Sequence, residues 1–229
     1  DQLLEIGCGW GGFMEEALRN GNQVTGLTLS TAQKAFADTR LQNVATEINS
    51  AQQFEVRLQD YRDCNEQFDG IASIEMFEAV GENHWSEYFQ TIAKRLKAGG
   101  RACIQTIVIA EDLFDRYRHS TDFIQQYVFP GGMLPSPSKF KAAAAGAGLE
   151  VEAEFAFGAD YAKTLCLWRD SFNHKIEEIY HLGFDEAFIR LWNFYLMYCA
   201  AGFSEKNIDV VQYTLKHQDG VRSSDALRP

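Results

Sequence analysis

The sequence is short of proline, cysteine and positive charge, and it has no long apolar run. Each shortage removes a class of protein. The net charge is −11, which speaks against a nucleic-acid binder, because such proteins present a basic face. It also speaks against general attraction to anionic lipid. The short patch Lys94, Arg95 and Lys97 reads as a solvated helix end. No apolar stretch reaches the roughly 20 residues that span a bilayer, and no secretion signal is visible. The five cysteines, Cys8, Cys64, Cys103, Cys166 and Cys199, are scattered without a Cys-x-x-Cys pair. That spacing fits reduced cytosolic thiols and offers neither a disulfide frame nor a metal site. There is no internal repeat, and little low complexity outside 142–147.

What is present is a chain of 229 residues that is 46% hydrophobic, enough for one sizeable core. Its organising stretch is Leu3-Leu4-Glu5-Ile6-Gly7-Cys8-Gly9-Trp10-Gly11-Gly12. The apolar run reads as a buried parallel strand, and Phe13–Arg19 as a helix. Glycines between them let backbone approach a ligand closely, and the helix start offers free N–H groups and a positive dipole end. The bland alternative is a tight strand-to-helix turn. In a dinucleotide fold a carboxylate about 20 residues on holds the ribose. Here the second strand ends in Thr25-Gly26-Leu27-Thr28-Leu29-Ser30, without one. Glu5 instead precedes the glycines, where it could attract the ammonium of an amino-acid-bearing cofactor. Glu-x-Gly-x-Gly resembles the first motif of S-adenosylmethionine (SAM)-dependent methyltransferases more than an NAD motif.

Strands are expected at Gln23–Leu29, Phe54–Leu58, Phe68–Ile74, Arg101–Val108, Glu150–Phe157 and Asp209–Lys216. The helix Trp85–Leu96 is expected to stop at Ala98-Gly99-Gly100. Glu111–Tyr127 has helical spacing. Val128–Pro137 holds three of the four prolines and reads as a rigid apolar loop over a pocket, followed by a helix at Ser138–Ala147. Gly158–Tyr161 reads as a turn, and Lys163–Phe203 as two helices broken near Leu182-Gly183. The expected class is therefore α/β, a Rossmann-like, mostly parallel sheet with helices on both faces and a helical and loop cover. One domain is expected over 1–217, with the cover at about 109–148, helical elaboration at about 162–203 and a polar tail at 218–229. The chain opens at Asp1, so an N-terminal part is expected to be missing.

Two strand ends carry candidate chemistry. Gln59-Asp60-Tyr61 lies at the edge where α/β sheets bind ligands: Asp60 could accept from an adenine amino group and Tyr61 pack on its ring, or both could be plain turn chemistry. Glu75-Met76-Phe77-Glu78 places two carboxylates at the end of an apolar strand, which is costly unless they have partners.

With these segments laid out, the chain resembles the cyclopropane-fatty-acyl-phospholipid synthase family, which includes the mycolic acid cyclopropane synthases. The resemblance runs nearly end to end. Glu5–Gly12 alone would be generic. The resemblance also rests on Gln59–Asp63, Met76-Phe77-Glu78 and Asp209–Leu215, and the loop Phe129-Pro130-Gly131-Gly132-Met133-Leu134-Pro135-Ser136 and the turn Gly158-Ala159-Asp160-Tyr161 are much more specific. It implies transfer of a methyl group from SAM to a cis double bond of a phospholipid acyl chain, through a carbocation that closes to a cyclopropane, leaving S-adenosylhomocysteine (SAH). It implies catalytic roles for Glu78, Tyr161, Ile107 (through its backbone), Cys199 and Gln105. Cofactor contacts are implied at Glu5, Gly7, Cys8, Gly9, Trp10, Gly11, Thr28, Leu29, Ser30, Gln33, Gln59, Asp60 and Tyr61. A bicarbonate ion near the reacting carbons is implied as base. The family histidine of that ion site falls on Gln105, which cannot carry a proton at neutral pH; Ala79 replaces another usual histidine. Cys199 reads equally as a small buried residue. Phe129, Tyr161, Tyr195, Tyr198 and Phe203 are candidates to line a carbocation pocket. A methyl- or methylene-branching enzyme, an amine N-methyltransferase and a non-catalytic SAM-binding module stay open. The expected setting is cytoplasmic, peripheral at the inner membrane face, with a homodimer left open.

Overall fold

The computed structural model describes residues 1–49 and 53–218; the expected tail beyond 218 lies outside the described residues. Strands and helices alternate in the first half. β1 (Gln2–Ile6), α1 (Gly12–Arg19), β2 (Gln23–Thr28), α2 (Thr31–Glu47), β3 (Phe54–Leu58) and β4 (Phe68–Ile74) follow one another. Next come α3 (Trp85–Arg95) and β5 (Leu96–Ile109). The cover contains α4 (Phe114–Arg118), α5 (Phe123–Tyr127) and α6 (Pro137–Gly146). β6 (Leu149–Ala156), α7 (Gly158–His174), α8 (Ile176–His181), α9 (Glu186–Ser204) and β7 (Ile208–His217) complete the order.

Among the described residues the strands form one seven-stranded sheet in the order β3-β2-β1-β4-β5-β7-β6. Pairs on the β3 side of β5 are parallel. β7 runs antiparallel to both neighbours, so it alone is reversed. Buried apolar side chains explain the layers. Leu4, Ile6, Leu27, Ile71 and Ile104 pack with α3 and α6 in one core, where Phe77, Phe89 and Phe140 interlock. Met14, Ala17, Ala37 and Leu41 close a second core with Val24 and Val56. α7 and α9 pack on each other and on Val210.

Four expectations change. The α3 helix passes straight into β5 at Leu96, so Gly99 and Gly100 lie within the strand. The cause is a register shift against β4 between Phe68 and Gly70, with Gly99 at φ 79°. The stretch expected as one helix over 111–127 is broken into a 3-10 turn, α4 and α5. Asp122 restarts it with a capping box through Gln125. Gly158–Tyr161 is the first turn of α7 rather than a loop: the Asp209 carboxylate of β7 accepts the Gly158 N–H at 2.7 Å and supplies the cap that Phe157 lacks. The helical region then holds three helices, because α7 and α8 part at Lys175.

Candidate active site

The cofactor cradle grows from the end of β1. Gly7, Gly9 and Gly11 adopt left-handed backbone angles of 78°, 51° and 79°, which side chains resist. The Gly7 and Cys8 N–H groups both donate to the Leu27 carbonyl, at 3.0 and 2.8 Å, folding the loop over β2. A Cβ at Gly9 would meet nothing within 4 Å, so the loop borders open space. Trp10 and Leu29 stand exposed beside it, at 53% and 73%. Cys8 is buried, and burial pushes its thiol up to about 11. Ser30 caps α2 by accepting from the Gln33 N–H. Thr28 is buried and donates to the Gln33 side chain at 2.8 Å, so these two side chains brace each other at the rim. The Gln59 N–H donates to the Thr28 carbonyl. Asp60 caps the 3-10 turn Tyr61–Asp63 and grips the Arg62 guanidinium; that contact holds its carboxyl below the usual range. Turn chemistry thus occupies Asp60, with lone pairs left to accept from a ligand. Tyr61 is half-buried, edge-on to Tyr88.

Glu5 lies beneath this loop, buried, with Oε2 lacking any hydrogen-bond partner. Burial raises its pKa to about 8, against the opposing Met14 N–H. An orphaned acceptor under an open glycine cradle fits a cationic amino-acid group, so the residues present suit SAM.

The second half of the site lies at the ends of β4 and β5. Met76 abuts the glycine loop: a Cβ on Gly7 would come within 2.8 Å of Met76 Cγ. On either side of Met76 are Glu75 and Glu78, both lining a cavity of about 770 Å³. Glu78 Oε1 accepts from the Ile107 N–H at 2.6 Å and the Thr106 hydroxyl at 3.0 Å, while Oε2 is buried and unpartnered. Burial lifts its pKa to about 7, opposed chiefly by the Ile107 N–H. Glu75 Oε1 accepts from the Tyr161 hydroxyl and from Gln105 Nε2, the latter at 2.9 Å. Its carboxyl opens on the cavity yet is crowded enough that desolvation raises its pKa. Gln105 is held from behind by Gln212 at 2.9 Å.

The rest of the cavity is mostly apolar. Ile107, Ile109, Leu113, Val128, Met133 and Leu134 contribute, with Phe129, Tyr195, Tyr198 and Cys199. The proline-rich segment is pinned over it by the Met133 N–H on the Glu78 carbonyl, the Ile109 N–H on the Pro135 carbonyl, and Gln125 on the Gly132 carbonyl. Tyr161 reaches the site through Glu75 and packs between Phe157 and Phe203. Phe203 is buried behind it as core rather than lining. Burial lifts the Cys199 thiol to about 12, so it stays protonated at neutral pH and has no thiolate character. The expected site residues therefore fall into two groups at one sheet edge, the cradle and the carboxylate end of the cavity. Glu75 is absent from the expected site set, although a carboxylate ending an apolar strand marks it.

The sequence model described as "Mycolic acid cyclopropane synthetase" matches residues 1–213. The chain belongs to that family. Its cofactor is SAM, and its sheet is that of the class I SAM-dependent methyltransferases. Tuberculostearic acid methyltransferase UfaA1 of Mycobacterium tuberculosis is 37% identical over 93% of this chain and 49% of its own length. Cyclopropane-fatty-acyl-phospholipid synthase of Escherichia coli K12 is 34% identical over 96% of this chain and 55% of its own. The chain thus spans about half the length of these curated relatives. The structure of mycolic acid cyclopropane synthase CmaA1 with SAH and CTAB superposes with a TM-score of 0.83 at 29% identity, covering 93% of this chain and 77% of that one.

Against this family background the bicarbonate site does not fit. The donors expected to hold the ion already serve the chain's own carboxylates: Ile107 N–H serves Glu78, and Tyr161 and Gln105 serve Glu75. Two carboxylates at one cavity end also repel a third anion. Among the described residues no group of three or more His, Cys, Asp and Glu is placed to hold a metal, and no helix is long and apolar enough to cross a membrane.

Proposed function

We propose that this protein transfers a methyl group from SAM to a double-bond carbon of an unsaturated lipid acyl chain, and that the resulting cation closes to a cyclopropane. One observation carries the reading: a largely apolar cavity of about 770 Å³ ends on a pair of carboxylates that abut the glycine cradle. An acyl chain suits such walls, and a positively charged reacting carbon suits such an end.

SAM brings an activated methyl on a sulfonium, so the protein has mainly to align donor and acceptor. The glycine cradle and Glu5 would hold SAM, and Met76 against Gly7 joins that cradle to the carboxylate end of the cavity. Glu78, fixed by Ile107 and Thr106, offers negative charge where the cation forms. Phe129, Tyr195 and Tyr198 offer ring faces that stabilise a cation without bonding to it. The pinned segment 128–137 excludes water that would quench it. A carboxylate then removes a proton from the transferred carbon.

A second reading is a branching methyltransferase, in which the cation ends as a methylene or methyl branch. It is favoured by Gln105, which is held between Glu75 and Gln212 and carries no titratable proton. Product NMR after incubation with unsaturated phospholipid vesicles and methyl-labelled SAM separates the two. Ring carbons carrying label support the first reading, and a labelled branch supports the second. No lipid label with SAM bound would contradict both.

A further inference from the structure

We propose that Glu75 occupies, with its own carboxylate, the place a bound bicarbonate would take, and that Glu75 receives the proton lost from the transferred carbon. The inference rests on the lipid-alkene reading and names the base within it.

The first support is the direction of the donors. Tyr161 and Gln105 both donate to Glu75 Oε1, and no described hydrogen bond engages Oε2, which is left for the substrate. Gln212 Nε2 donates to Gln105 Oε1 at 2.9 Å. That contact turns the Gln105 amide so that its NH₂ faces Glu75. A histidine in this place would hold an ion; this glutamine holds a side chain.

The second support is the backbone. Glu75 sits at φ 52°, a left-handed conformation that disfavours any residue with a side chain. Its N–H donates to the Gln105 carbonyl at 2.9 Å, which holds the turn in place. Glycine is the residue such a turn favours. A glutamate kept there, with its carboxylate in the cavity wall, marks local strain tied to a use of the side chain. The third support is proximity: Glu78 is raised partly by the charge of Glu75, so both carboxylates act on one small volume.

The step balances without an added reactant. The alkene π pair forms the new C–C bond as the S–CH₃ bond breaks, and neutral SAH leaves. The adjacent carbon is then cationic. Glu75 takes a proton from the former methyl, and that C–H electron pair closes the ring; where a 1,2-hydride shift first moves the cation onto the methyl-bearing carbon, the same pair forms a methylene double bond instead. The protonated Glu75 returns its proton to water.

The test titrates sodium bicarbonate into the SAH-bound protein by calorimetry and measures lipid turnover in carbon-dioxide-free buffer with and without bicarbonate. Wild type is expected to give no binding heat and unchanged turnover. Glu75→Gln is expected to lose turnover by roughly 10²–10⁴-fold, the range for a lost general base, with SAH binding intact. Glu75→Gly, with the place vacated, is expected to bind bicarbonate. Bicarbonate binding or dependence in wild type, a Glu75→Gln loss under about threefold, or no bicarbonate uptake by Glu75→Gly would each overturn the proposal. If wild type makes no lipid product, the lipid reading fails by itself, and the two titrations still decide whether Glu75 holds the anion place.

Discussion

Glu5 has the clearest titration consequence of any single residue. It is buried with an unpartnered oxygen, and its pKa lies near 8. Without ligand it is therefore mostly protonated at pH 7. A cationic cofactor group above it favours the ionised form, so SAM binding at pH 7 should release close to one proton. Calorimetry in buffers of different ionisation enthalpy reads this directly, and Glu5→Gln should abolish the release while weakening SAM. The same shift fixes a stability trend. A carboxyl whose folded pKa is raised gives stability that is complete below its unfolded pKa and is lost as pH rises through the folded one. The unliganded protein should therefore melt lower as pH rises from the ordinary carboxyl value of 4.5 toward 8. Glu78, raised to about 7, adds to the decline. Glu5→Gln should shrink it, read as melting temperature against pH.

Among the elements, α7 depends on a residue far away in the chain. Its first N–H is capped by Asp209, which also accepts from the Val210 N–H at 2.8 Å. Asp209→Ala should cost about 1 kcal/mol, as lost caps do, and lower the melting temperature by roughly 2–4 °C for a chain of this size. Thermal unfolding checks it. That long-range cap also explains why Gly158–Tyr161 reads as a turn in the sequence: its helix start carries no local signal. By contrast β3 and β4 are legible to the residue, because short apolar strands bounded by turn residues need no distant partner. α3 ends at Arg95, within one residue of the expected Leu96, but its expected stop lies inside β5. Gly99 and Gly100 look like a helix stop, yet the register of β4 against β5 absorbs them into a strand. The two carboxylates were legible as expensive residues at a strand end. Which donor serves which carboxylate was not, since Gln105, Tyr161 and Gln212 meet only through the pairing of β5 with β7 and the docking of α7.

Taken whole, the molecule puts its candidate site along one edge of a single sheet. β1 and β2 supply the cradle, β4 and β5 the carboxylates, and the cover with α9 the apolar walls. Met76 against Gly7 joins the halves. On the proposed lipid reading, the negative net charge leaves apolar burial, not general charge attraction, as the force that would seat an acyl chain. The central claim is methyl transfer to a lipid double bond followed by proton loss from the transferred carbon. SAM bearing a trideuterated methyl, incubated with unsaturated phospholipid vesicles, tests both parts in one mass spectrum of the acyl chains. The account predicts a product that retains two of the three deuterons. Lipid that keeps all three, or none while SAM is bound, would contradict it.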